Sequence, residues 1–178
     1  MTSKKFLRMP NNFEKINILG IDPGTKRAGF GVISKEGNIL RLLDAGIFAV
    51  GKSTTNESLL IIKNQIDLLI KKYNPSVFAI EKLFFSTNQK TAMSVAESRG
   101  VCILSALEKN IPILEFSPNE IKSSIAGFGM ADKKAILKMV RLILKEPNLK
   151  VIDDASDALA IAIVGAQNLR LIKTEGGH

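Results

Sequence analysis

Acidic residues stand in this 178-residue chain at the points where apolar runs stop. Asp22 ends Ile18-Leu19-Gly20-Ile21, and Glu81 ends Val77-Phe78-Ala79-Ile80. A third group, Asp153-Asp154-Ala155-Ser156-Asp157, opens an apolar stretch that continues through Val164. A carboxylate that closes a buried run leaves the core and faces the rim of the sheet, and in open α/β sheets ligands bind at the carboxyl rim. Pro23 biases Asp22 toward extended backbone, and Gly24 permits a tight turn, so the Asp22 carboxylate projects beyond the strand end. In the third group Asp154 and Asp157 are three apart and share a helix face, with Asp153 placed to cap the helix. Asp153 and Asp157, four apart, also share a face, so spacing alone leaves both pairings open.

Such acids need counter-charge. Two carboxylates about 4 Å apart repel by roughly 4 kcal/mol at an effective dielectric near 20, so four brought together protonate or recruit cations. Hard oxygen donors without histidine or cysteine favour magnesium or manganese over zinc. Two such ions about 4 Å apart ready a water nucleophile and stabilise the leaving 3′-oxygen in phosphodiester hydrolysis. Other chemistries lack their residues. The single histidine, His178, is the last residue, after two glycines. The single cysteine, Cys102, sits inside Val101-Cys102-Ile103-Leu104, so no internal disulfide forms and a buried, inert thiol is expected.

The elements that must position these acids follow from periodicity. Ile16 to Asp22, Ala28 to Ser34 and Ile39 to Val50 read as three strands, the last two a hairpin across Lys35-Glu36-Gly37-Asn38. Asn56 to Lys72 places Leu59, Leu60, Ile62, Ile66, Leu69 and Ile70 near helical spacing. Val77 to Ile80 returns to strand character, Gln89 to Lys109 reads as a second helix, and Pro112 to Phe116 as a further strand. The remainder is helical, broken at Ser117-Pro118, Gly127-Phe128-Gly129 and Glu146-Pro147-Asn148, with Asp132 capping a helix from about Lys133 to Leu144. Three strands followed by strands alternating with helices imply a mixed sheet whose later strands run parallel to the first. If the strands ending in Asp22 and Glu81 are parallel neighbours, the two acids meet at one edge.

With 46% apolar residues the chain has the size and composition of one domain, expected over residues 16–172, after a flexible basic extension (1–15) and before a short tail (173–178). Its first residues lack the apolar stretch and small-residue cleavage site of a secretory signal, and no uninterrupted apolar span reaches membrane length, so a cytoplasmic protein with no membrane partner is expected. The net charge of +8 favours a polyanionic partner.

The motifs resemble those of the RuvC family of four-way (Holliday) junction resolvases. Ile18 to Thr25 followed by Gly29-Phe30-Gly31-Val32 is similar to the family's opening, Ala79 to Phe85 to its second motif, and Asp153 to Ala162 to its last. Glu97-Ser98-Arg99-Gly100 and the stretch from Ser117-Pro118 to Lys122 fit in order and spacing, so the resemblance covers about residues 16 to 172. It implies an α/β, ribonuclease H-like fold: a five-stranded mixed sheet flanked by helices on both faces. It implies Asp22, Glu81, Asp154 and Asp157 as catalytic, metal-binding acids, choosing Asp154 over Asp153, with two magnesium ions per site and manganese as the alternative. Phe84 matches an aromatic directed at the junction centre, and Lys122 and Lys133 match basic positions near the scissile phosphate. The resemblance further implies paired symmetric nicks in junction DNA during recombination and repair, by a homodimer whose helix over 89–109 faces the partner subunit. A branch-migration motor and a junction-binding scaffold are the other implied partners.

Three rival readings carry less. A single-domain RNA-processing nuclease of the same fold would not require the ending Asp154-Ala155-Ser156-Asp157-Ala158 in the form it has here. Ile21-Asp22-Pro23-Gly24-Thr25 also resembles the phosphate-binding opening of actin-like kinases, but those pair two such domains around a nucleotide, and this length supplies one. A non-catalytic junction-binding protein would gain nothing from four acids beside phosphates, since they repel the ligand unless a cation intervenes.

Overall fold

The computed structural model describes residues 14–24, 26–50, 53–83 and 89–173. Most of the expected N-terminal extension, Phe84 and residues 174–178 lie outside them. The strands are β1 (Ile16–Asp22), β2 (Arg27–Glu36), β3 (Ile39–Ala49), β4 (Val77–Glu81) and β5 (Ile113–Phe116), and they form one sheet in the order β3-β2-β1-β4-β5. β1, β2 and β3 pair antiparallel, while β4 runs parallel to both β1 and β5. The helices are α1 (Thr55–Tyr73), α2 (Gln89–Glu108), α3 (Pro118–Ala126), α4 (Lys133–Leu144) and α5 (Asp153–Gln167), followed by a 3₁₀ turn over Leu169–Lys173.

Alternation along the strands divides the core in two. Ile16, Ile18, Val77, Ala79 and Leu114 pack with α3, α4 and α5 on one face. Leu19, Ile21, Val32, Phe78 and Ile80 pack with α1 and α2 on the other. The five-stranded mixed sheet with helices on both faces is thus the expected architecture. Because side chains alternate, Gly20 and Asp22 share the α5 face with Ile18, and Glu81 shares it with Ala79.

Most helix ends are set by local chemistry. Thr54 and Glu57 close a capping box on α1, Ser117 and Glu120 another on α3, and the Asp132 carboxylate accepts from the Ala135 amide at 2.7 Å to cap α4. Two expectations are corrected. Asp153 is the first residue of α5, not its cap; Ile152 holds that position with no side-chain hydrogen bond, and Asp153 instead pairs with Lys133. Leu60 does not join the inward stripe of α1, because the helical phase set by Ile62, Ile66, Leu69 and Ile70 turns it to solvent, 60% exposed.

α5 lies directly on the sheet because glycine leaves room for it. A Cβ on Gly20 would stand 2.3 Å from the Ala158 carbonyl oxygen, one on Gly29 1.9 Å from the Asp154 carbonyl oxygen, and one on Gly31 2.8 Å from the Leu159 Cα. Gly165 reciprocates from the helix, where a Cβ would lie 2.9 Å from that of Ala79. Gly20→Ala therefore forces backbone against backbone. It is expected to lower stability by about 2–3 kcal/mol, measured as the urea midpoint with unchanged m.

Candidate active site

β1 and β4 are parallel neighbours with Ile21 opposite Ile80, so Asp22 and Glu81 follow side by side at the carboxyl edge. Asp22 is also the register partner of Gly29 on β2. The first turn of α5 rests on that bare glycine, with the Asp154 carbonyl over it, which brings Asp154 and Asp157 above the same edge. Two strand ends and one helix start thus deliver the acids.

Their mutual influence is visible in their protonation. Burial, and then the charges of Glu81, Asp157 and Asp154, push the Asp22 carboxyl up to about 8, against a smaller opposing pull from Lys133. Burial and the Asp157 charge push Glu81 up to about 7, with Lys122 opposing. Asp157 is also raised, chiefly by burial, while Lys133 draws it down. Lys133 is itself partly desolvated, yet the charges of Asp157 and Asp153 hold it protonated above the ordinary lysine range.

A cleft of about 450 Å³ is walled by Glu81, Asp157, Lys122, Asp132 and Lys133. A smaller hollow of about 140 Å³ holds Asp22 and the other side of Glu81, with Pro23, Leu83 and Val95 around them. Lys133 Nζ lies 3.6 Å from Asp157 and 3.5 Å from Asp153. Arg27 Nε lies 3.2 Å from an Asp154 oxygen.

The donor set is entirely carboxylate, which suits magnesium or manganese. Among the described residues no three acidic, histidine or cysteine side chains are gathered into a ready-made coordination set. Asp154 pairs with Arg27 and Asp157 with Lys133, which offset part of their charge. A divalent ion would compete with those two cations for the same carboxylates. The fit is thus one of donor chemistry and placement.

The profile of one family, crossover junction endodeoxyribonuclease RuvC, matches residues 18–165. The chain belongs to the RuvC family. The RuvC of Alkaliphilus oremlandii (strain OhILAs) is 44% identical over 150 residues, spanning 84% of this chain and 92% of the relative. That of Roseiflexus sp. (strain RS-1) is 42% identical over 146 residues, 82% of this chain and 87% of the relative. The Thermus thermophilus RuvC structure matches with a TM-score of 0.80 at 29% identity, covering 88% of this chain and 96% of that one. T. thermophilus RuvC in complex with Holliday junction substrate also gives 0.80, at 28% identity and the same coverage. The ribonuclease H-like nuclease fold expected from the motifs is therefore the fold of this chain.

Of the site residues picked from sequence, Asp22, Glu81, Asp154, Asp157, Lys122 and Lys133 gather at one edge. Phe84 lies outside the described residues. Sequence reading missed Arg27, whose partner is 127 positions later and leaves no periodic trace. Cys102 is fully buried, and burial pushes its thiol up to about 12, as an inert core residue should be. Among the described residues no helix is long and apolar enough to cross a membrane.

The raised Asp22 value links the site to stability. A carboxyl whose folded pKa exceeds its unfolded one binds more protons when folded, so stability falls as pH rises from about 4 to about 8. Asn mimics the protonated side chain. Asp22→Asn is expected to raise the Tm of chelator-treated protein by at least about 4 °C at pH 8, the gain shrinking to nothing near pH 4. Calorimetry across that range checks it.

Proposed function

We propose that the protein resolves four-way DNA junctions by paired symmetric nicks, hydrolysing phosphodiester bonds with the help of divalent ions held by Asp22, Glu81, Asp154 and Asp157. The observation that carries this reading is the convergence of four acids and two lysines on one sheet edge in a RuvC-family chain. Magnesium is the expected ion, two per site, with manganese as the alternative.

When bound, the ions supply a readied water, neutralisation of the phosphate and stabilisation of the leaving oxygen. The chain's own residues do the rest. Asp22 and Glu81, whose carboxyls are raised by burial and neighbouring charge, would hold an ion in their ionised form, so affinity for the ion is expected to rise with pH. Lys133, held protonated, is an electrostatic partner and a poor proton donor, suited to the charge that builds on the phosphate. Lys122, on the cleft wall beside Glu81, offers a second cation to the same phosphate. Phe84, three residues beyond Glu81, is proposed to stack on a base near the junction centre.

Two symmetric nicks call for two symmetric sites, and a two-fold homodimer supplies them. α2 presents Met93, Gly100, Leu104 and Leu107 along one outward stripe at seven-, four- and three-residue steps, with Met93 71% and Leu107 57% exposed. That spacing suits a helix facing its own copy. The branch-migration motor and junction-binding scaffold remain partners proposed from the motif resemblance.

The direct test is a labelled four-way junction with a mobile core, beside linear duplex and an RNA–DNA hybrid, with magnesium or chelator. Paired nicks confined to the junction are expected, with a drop of at least about 100-fold in Asp22→Asn while junction binding survives. Cleavage of the hybrid with the junction left whole would replace the substrate. In sedimentation, the double substitution Leu104→Glu, Leu107→Glu is expected to turn a dimer into a folded monomer. A wild-type monomer at micromolar concentration would remove the dimer.

A further inference from the structure

We infer that Ser98 and Arg99, consecutive on α2, are positioning residues that fix the two chain segments carrying Asp22 and Glu81; the inference rests on the metal-dependent reading above. Ser98 is 1% exposed, and its hydroxyl donates to the Gly24 carbonyl at 3.0 Å. That carbonyl lies two residues beyond Asp22, in a turn so tight that a Cβ on Gly24 would stand 1.8 Å from the Arg27 carbonyl oxygen. Arg99 Nε donates to the Glu81 carbonyl at 3.0 Å, and the far end of its guanidinium is held by the Glu115 carboxylate of β5. The next amide, that of Lys82, donates to the Phe116 carbonyl at 2.8 Å. The peptide at the end of β4 is therefore gripped on both sides.

The grip has an opponent. Asp22 and Glu81 stand side by side one residue past the Ile21–Ile80 pair, so their carboxylates repel across the ends of β1 and β4. The β1–β4 ladder ends at Ile21 and Ile80, and past it the bonds from Ser98 and Arg99 add to the outer pairings of Asp22 with Gly29 and of Glu81 with Phe116. Arg99 does this through the backbone, by its bond to the Glu81 carbonyl. One helix turn thus clamps both acid-bearing ends, from residues 74 and 18 positions away in sequence. The expected result is a fixed backbone beneath both carboxylates, so that less ordering remains to be done when an ion binds.

The test is calorimetric titration of manganese into the intact protein without DNA, followed by junction cleavage across manganese concentrations. Arg99→Ala is expected to weaken manganese binding by about tenfold or more, in the range of lost outer-sphere partners, and to raise the concentration for half-maximal cleavage in step. Ser98→Ala is expected to move both in the same direction by a smaller factor. Arg99→Lys keeps the charge but lacks the fork and should recover only part of the loss. Junction binding in chelator should be unchanged in all of them. Should Arg99→Ala fail to fold, Ser98→Ala and Arg99→Lys decide. Unchanged manganese affinity in the folded variants, with only a lower Tm, overturns the inference alone. Lost junction binding in chelator overturns it too, since Arg99 would then act on DNA. A wild-type protein that binds no manganese, or an Asp22→Asn variant that binds it as well as wild type, overturns the metal reading itself.

Discussion

The structure depends on backbone meeting backbone where α5 crosses β1 and β2. Three strand glycines, Gly20, Gly29 and Gly31, occupy positions where any side chain would collide with the helix. Their absence of side chain lets the helix start stand over the ends of the strands instead of a layer above them. The acids of α5 are short, and the charges of Asp154 and Asp157 reach Asp22 because the helix is this near. The fit also explains why α5 is so small-sided, with Ala155, Ala158, Ala160 and Ala162 all buried. Close packing here serves placement as much as stability.

The site so formed is unfavourable by itself. Burial and neighbouring acids raise Asp22, Glu81 and Asp157, Lys122 and Lys133 draw them back, and Arg27 pairs with Asp154. The apolar clusters on both faces of the sheet must outweigh that strain for the fold to persist without a cation. Helices α3 and α4 contribute the cationic wall, and the capping of α4 by Asp132 fixes where Lys133 emerges.

Much of this was legible in the residues. Strand ends at Asp22 and Glu81 were marked by apolar runs that stop at an acid, and the pairing of those ends followed from parallel connectivity. The helix caps at Asp132 and Ser117 carry their own local signal. What sequence left open was whatever depends on distance. The spacing around Asp153 allowed two faces, and the choice required knowing which side of α5 meets the sheet. Leu60 fitted a loose apolar stripe but falls outside the buried arc once the helix is docked. Arg27, Ser98 and Arg99 act through one or two contacts to remote backbone or carboxylate, a kind of link that no period or motif announces. Ser98 and Arg99 could be noticed only as part of a familiar stretch, without a role attached.

The alternation that sets Gly20 and Asp22 on one face has a consequence for folding errors. If β1 slipped by a single residue against its neighbours, Leu19 and Ile21 would turn beneath α5 and Asp22 would point into the opposite core. The helix could not settle on two bulky aliphatic side chains, and a carboxylate would be stranded among apolar ones. A misregistered chain would therefore be both unstable and without its four-acid edge. On the proposed reading, in which those four acids hold the ions, correct strand register and the ability to cut arise in the same event.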